Sequence, residues 1–356
     1  MNRPDSSVSF IHPDEAILVT GAAGFIGPAL VRNLLDRGFR KIRCFARHSS
    51  DLARLEGAEF VREGATVEVV RGNLLSRDDC ATAAKDVAVI FHLAAGRGEK
   101  SFPDAYLNSV VTTRNLLDAV VEHGCLRRFV NVSSFSVYTN KGKRTRRLLD
   151  ESCEVERQPA GRGDPYCFAK TKQDEIVTAY GERHRIPYVI VRPGYVYGPG
   201  KAAISGRVGV GTFGVFLHLG GSNTIPFTFV DNCADAIARA GLTSGVDGEV
   251  FNVVDDDLPS SRRFLRLYKR NVRGFTSIYL PHALSYFLCY LWERYSEWSE
   301  EQLPPVFNRR VWHSYWRRTR YSNDKLKTRL GWSPQVSTHE GLRRYFEGCR
   351  ERLTHA

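Results

Sequence analysis

Eight residues near the start of the chain, Thr20-Gly21-Ala22-Ala23-Gly24-Phe25-Ile26-Gly27, restrict its fold more than any other stretch. They follow an apolar run, Ala16-Ile17-Leu18-Val19-Thr20, and open a pattern of helically spaced apolar residues that lasts from Phe25 to Leu35 and stops at Gly38. Glycine triplets alone are common in loops, but a triplet between a buried strand and a helix predicts a phosphate-binding turn. Gly21 allows the tight turn, Gly24 lets a pyrophosphate approach the backbone, and Gly27 lets helix and strand pack closely. The free N–H groups of the helix start, together with its dipole, hold the diphosphate.

Strand and helix patterns then alternate. Strands are predicted near Lys41 to Phe45, Val67 to Val70, Val87 to Leu93, Arg128 to Ser133 and Tyr188 to Val191, with helices including Tyr106 to His123 and Tyr166 to His184 between them. This order predicts an α/β, Rossmann-type, doubly wound parallel sheet. After Arg192-Pro193-Gly194 the pattern turns irregular, and Gly206, Gly209, Gly211, Gly214, Gly220 and Gly221 suggest loops over a site. Phe229 to Ile237 reads as a strand leading into a helix, and Gly248 to Val253 as a further strand. We therefore expect residues 1–192 to form the dinucleotide-binding domain, with 228–254 returning to it. Residues 193–227 and 255–356 would form a smaller, discontinuous substrate-binding region.

A chain of 356 residues with 42% hydrophobic composition holds an ample core. Its eight cysteines include no Cys-x-x-Cys pair and no histidine cluster has ligand spacing, so we expect reduced thiols, a cytoplasmic location and no metal. The residues Met1 to Ser7 lack a signal-peptide core, and secretion is not expected. Within a net charge of +12, two basic clusters stand out: Lys141 to Arg147, read as a solvated loop, and Arg309-Arg310 with Arg317 to Arg320. The latter cluster is interleaved with Trp312, Tyr315 and Trp316, which suits a substrate diphosphate better than nucleic acid. Phe275 to Trp292 has no Asp, Glu, Lys or Arg. Its hydroxyls, His282 and Pro281 favour a short strand, Ser277 to Leu280, then a buried or lid helix rather than a transmembrane one, with peripheral membrane contact left open.

Ser133-Ser134-Phe135-Ser136-Val137-Tyr138 stands at a strand end, and Tyr166-Cys167-Phe168-Ala169-Lys170 opens a helix. Tyr166 and Lys170, four apart, share a helix face, where the ammonium favours a phenolate able to exchange protons near neutrality. Lys170 also suits a ribose, and Ser134 suits a reacting carbonyl or hydroxyl. A second Tyr-x-x-x-Lys, Tyr321 to Lys325, is set aside by order along the chain: only Tyr166 falls between the Ser134 strand and Arg192 to Pro199.

With these motifs, with Phe91-His92-Leu93-Ala94-Ala95, Asn108 and Leu330-Gly331-Trp332-Ser333-Pro334, nearly the whole chain resembles an extended short-chain dehydrogenase/reductase of the NAD-dependent epimerase/dehydratase family. The resemblance implies Ser134, Tyr166 and Lys170 as the catalytic set, with Asn108 supporting the active-site helix, and a homodimer. It further implies dinucleotide contacts from Gly21, Gly24, Phe25, Ile26, Gly27, Arg47, Asn73, Leu74, Leu93, Ala94, Ala95, Asn108, Tyr166, Lys170 and Pro193.

Two departures narrow the reaction. Dehydratases of the family carry Asp-Glu after the catalytic serine position; here Phe135-Ser136 disfavours dehydration. Gly72-Asn73-Leu74 replaces Gly-Asp-Leu and weakens the adenine contact. At the end of the second strand Ala46 stands where an NAD enzyme has an acid, and Arg47, Ser49 and Ser50 favour NADP over NAD. The expected activity is alcohol–ketone interconversion, by a reductase or epimerase, on a nucleotide-linked sugar held by Ser134, Tyr195, Arg318 and Arg320. Alternatives are a sterol or lipid alcohol, suggested by Val230-Asp231-Asn232, and a non-catalytic dinucleotide sensor.

Overall fold

In the computed structural model the described residues are 10–96, 101–140, 148–201, 204–212, 214–299 and 308–354, so the basic run 141–147 lies outside them. The first half runs β1 (Ala16–Thr20), α1 (Gly27–Asp36), β2 (Lys41–Ala46), β3 (Thr66–Arg71), α2 (Arg77–Ala84) and β4 (Val87–His92). Then follow α3 (Phe102–Ala105), a π-helical turn (Tyr106–Val111), α4 (Thr112–His123), β5 (Arg128–Val132), β6 (Leu148–Leu149), α5 (Pro165–His184) and β7 (Tyr188–Pro193). The second half contains β8 (Tyr195–Tyr197), β9 (Gly209–Thr212), β10 (Val215–His218), β11 (Phe227–Phe229), α6 (Val230–Leu242) and β12 (Val250–Val253). It ends with α7 (Ser261–Asn271), β13 (Ser277–Tyr279), α8 (His282–Trp298), α9 (Arg309–Tyr315), β14 (Arg320–Tyr321), α10 (Asp324–Leu330) and α11 (Thr338–Thr354).

Seven strands make one parallel sheet in the order β12-β7-β5-β4-β1-β2-β3. The order reverses between β4 and β1, where a doubly wound sheet places its ligand at the strand C-termini. Strands β1, β4 and β5 are buried on both faces, as helices on both sides require. The fold is therefore the expected Rossmann-type doubly wound sheet. The strand β12, distant in sequence, completes its edge by pairing with β7.

The span read as loops is more regular than expected. The strands β9 and β10 pair antiparallel, and β13 adds in parallel to β10. Gly209 serves this sheet by close approach, since a Cβ there would lie 2.0 Å from Leu217 O. The segment from 275 to 292 also differs from a buried helix: β13 and α8 form as the Pro281 signal predicts, but of α8 only Ser285, Cys289 and Ser296 are buried. No helix among the described residues is long and apolar enough to cross a membrane.

Candidate active site

The glycine turn does what its spacing predicts. Gly21 has φ +68°, and a Cβ there would stand 2.9 Å from Ala94 N; at Gly27 a Cβ would fall 2.1 Å from Ala22 O. The first position requires the left-handed region and the second requires contact between α1 and the turn. The start of α1 has no side-chain cap: Ile26 occupies the N-cap and the first turn holds no acid. Its N–H groups are left for a ligand anion, so the donor set fits a dinucleotide pyrophosphate.

This turn opens on a cleft of about 1940 Å³. Single-ligand pockets reach roughly 1,000 Å³, so the volume suits a dinucleotide together with a second molecule. Gly21, Gly24, Phe25, Ile26, Arg47, Asn73, Leu74, Leu93, Ala94, Ala95, Asn108, Ser134, Tyr166 and Tyr195 all line it. The remaining expected residues do not. Gly27 is spent on packing, Pro193 is buried in β7 one residue before the lining Gly194, and Lys170 lies beneath the surface. Arg318 and Arg320 are a correction: both are exposed and neither lines the cleft, whereas Arg317, Thr319 and Tyr321 do. Within β14, alternation sends Arg320 and Tyr321 to opposite sides.

Two helix anchors bring Ser134 and Tyr166 together. Asp164 caps α5 by accepting from the N–H groups of Tyr166 and Cys167, which fixes the start of the helix. Farther along, buried Asp174 accepts from Asn131 Nδ2 (2.8 Å), Ser133 Oγ (2.9 Å) and both Nε and Nη2 of Arg192 (3.2 and 3.0 Å). One carboxylate thus ties α5 to β5 and β7. Burial pushes its pKa up, and the Arg192 guanidinium and Ser133 hydroxyl oppose the rise. Unpairing such a group costs about 3–5 kcal/mol, enough to hold the helix in place.

Ser134 follows β5 and its Oγ accepts from Ser136 N. The Tyr166 phenol lines the same cleft. Burial raises the phenol pKa and the nearby Ser134 hydroxyl works against it. No hydrogen bond runs from Lys170 to the phenol among the described residues. Lys170 Nζ instead donates to Val132 O (2.7 Å) and Gln173 Oε1 (2.9 Å), and burial lowers its own pKa to about 8 despite Asp174.

From Lys170 a buried chain of polar groups crosses to the glycine turn. Gln173 Nε2 donates to Thr113 Oγ1 (2.8 Å), which meets His92 Nε2 (2.9 Å), whose Nδ1 meets Thr20 Oγ1 (2.8 Å). Thr113 Oγ1 also donates to Ser109 O at 2.5 Å. Burial lowers the His92 pKa to about 3, with Lys170 adding to the effect, so the ring is neutral. His92 was visible in sequence as part of the Phe91 to Ala95 motif, but its link to Thr113 and Gln173 was not.

Sequence reasoning also missed Arg162. It is 5% exposed, donates from Nη1 to Ser136 O (2.6 Å) and from Nη2 to Ser314 Oγ (2.6 Å), and so joins the Ser134 segment to α9. No local motif marks it. Arg207, placed by the β9 approach, reaches the same wall by donating to Ser314 O. Arg54 and Arg352 stand beside Gly200 on the wall of the cleft. Asn108 donates to Asp104 O and Oδ1 (both 3.0 Å) from the π-helical turn, a distortion frequent at functional sites.

Phosphate cradle and hydroxyl pair face one cleft, and that pairing defines a dinucleotide-dependent oxidoreductase of the extended short-chain dehydrogenase type. The NAD dependent epimerase/dehydratase family model matches residues 17–253, and the chain belongs to that family. It is 26% identical over 347 residues to a 2-alkyl-3-oxoalkanoate reductase of Stenotrophomonas maltophilia, covering 92% of this chain and 97% of the other. It is 29% identical over 351 residues to a UDP-glucose 4-epimerase of Mycolicibacterium smegmatis, covering 94% and 98%. The fold matches UDP-glucuronic acid 4-epimerase from Bacillus cereus in complex with UDP-glucuronic acid and NAD, with TM-score 0.70, 23% identity and coverage of 95% and 99%.

Proposed function

We propose that this enzyme interconverts a secondary alcohol and a ketone on a nucleotide-linked sugar, as a reductase or an epimerase. The observation that carries the reading is that Ser134 and Tyr166 line the same cleft that the glycine turn opens. When bound, the dinucleotide exchanges the hydride. Tyr166 Oη passes the proton to or from the substrate oxygen, and Ser134 Oγ orients that oxygen. Lys170, on the same helix and held by Val132 O and Gln173, keeps one N–H that would serve the ribose. Residues 193–227 and 255–356 would receive the substrate, with the diphosphate on Arg207 and Arg317 rather than on Arg318 and Arg320. Phe135-Ser136 offers no carboxylates after Ser134, which leaves dehydration without its acid and base.

NADP is favoured over NAD because Arg47, Ser50 and Arg54 line the cleft beyond β2 while Ala46 supplies no acid for a ribose diol. A second reading, a lipid or sterol alcohol, is favoured by one feature. Phe135 and Tyr321 stack with centroids 5.6 Å apart and both line the cleft as an apolar wall. Turnover of nucleotide sugars and of lipid alcohols or 3-oxo acids, each with NAD(P)H, separates the two. Tyr166→Phe should lower kcat by about 10²–10⁴-fold and leave dinucleotide affinity intact. Unchanged kcat would refute the proton role.

A further inference from the structure

On α8, Leu284, Phe287, Leu288, Leu291, Tyr295 and Trp298 are 45, 52, 44, 46, 48 and 78% exposed. At about 100° per residue they fall within one arc of roughly 100°, an unbroken outward apolar stripe. On β13, just before this helix, Ile278 is 52% exposed, while Tyr279 turns to the other side of the strand against His218. The two acids on α8, Glu293 and Glu297, are neutralised by Arg309 and Arg294.

The stripe has a basic border. From Ser261 to Arg273 the chain holds five arginines and one lysine and no acid. Arg262, Arg266, Arg270 and Arg273 are exposed and form no ion pair among the described residues. This helix abuts β13 directly: the Arg262 guanidinium lies 5.4 Å from the Tyr279 ring centre, and Lys269 Nζ donates to Ser277 Oγ at 2.7 Å.

We propose that α8 and β13 dock, flat, on an anionic lipid bilayer, with α7 supplying the charge attraction. The α8 stripe supplies burial into the acyl boundary, and its Tyr and Trp suit the interfacial zone. The basic border selects anionic headgroups. It also argues against a second copy of this chain, because symmetric contact would bring two unpaired arginine sets together. The docked surface lies one helix from the site. Ser285 on the inner side of α8 accepts from Trp312 Nε1 at 2.9 Å, and the next residues, His313 and Ser314, line the cleft. This inference does not depend on which substrate class is correct.

The test uses the full chain in vesicle sedimentation and tryptophan fluorescence. We expect binding to phosphatidylcholine vesicles containing phosphatidylglycerol, with a blue shift, and much weaker binding to phosphatidylcholine alone. Replacing Arg262, Arg266, Arg270 and Arg273 with Gln should weaken it on the order of a hundredfold or more, at several-fold per charge. Phe287→Ser, Leu291→Ser and Trp298→Ser combined should abolish the blue shift and most binding while turnover in solution is unchanged. Undiminished binding by that triple variant would mean that the net charge alone attracts lipid, and would overturn the proposal. So would a dimer that the triple variant dissolves, or absence of binding to the anionic vesicles.

Discussion

The glycine turn and α8 are both apolar-flanked segments, yet one is held by close backbone contacts and the other leaves its stripe in the open. At the turn, backbone touches backbone: Gly27 against Ala22, Gly21 against Ala94. On α8, half-exposed leucines and aromatics face outward. The difference teaches that a binding site made by main-chain geometry is written in residue types that few substitutions can imitate. An exposed apolar surface is written in the same residues as a core, and only the fold tells them apart.

The sharpest way to break this contrast is Gly27→Val. Its side chain would overlap the Ala22 carbonyl, so a loss of about 3 kcal/mol or more is expected, with the dinucleotide lost as well. Thermal melting with and without NAD(P)H checks it, and a small loss would show that α1 can slide away from β1. Arg47→Ala tests the cradle's outer end: a phosphate contact is worth roughly 1.5–3 kcal/mol, so the preference for NADPH over NADH should fall about 10- to 100-fold in paired titrations. An unchanged ratio would assign Arg47 to solvent. The smallest effect belongs to α8, where Leu291→Ser should shift stability by no more than about 0.5 kcal/mol, against about 2–5 for Leu30→Ala in the core. A large loss on α8 in denaturant titrations would mean that this face is covered in solution.

The legible parts share a physical cause. β1 to β5, the glycine turn, and the Tyr166 and Ser134 segments are local patterns, each set by neighbours within a few residues. What escaped was made by distance in sequence: Arg162 and Arg207 meet at Ser314, and Asp174 gathers Asn131, Ser133 and Arg192. In the arginine run, only Arg317 lines the cleft while Arg318 and Arg320 are exposed, and no local pattern distinguishes them. The run from Phe275 to Trp292 is compatible in sequence with a buried or a lid helix, and its lack of charge does not say which way that helix faces.

The chain of polar groups beneath the cleft has only one permitted sense. Lys170 has no lone pair when charged, so Gln173 must receive through Oε1 and give through Nε2. Thr113 spends its single proton on Ser109 O, which obliges neutral His92 to carry its proton on Nε2 and to accept on Nδ1 from Thr20. Thr20 Oγ1 can then face Ala94 N, 3.4 Å away, with a lone pair. Reversing any one member would strand a buried donor or acceptor. The buried lysine of α5 and the threonine at the head of the glycine turn are thereby locked to one proton arrangement, and the floor of the site is assembled with its polarity already chosen.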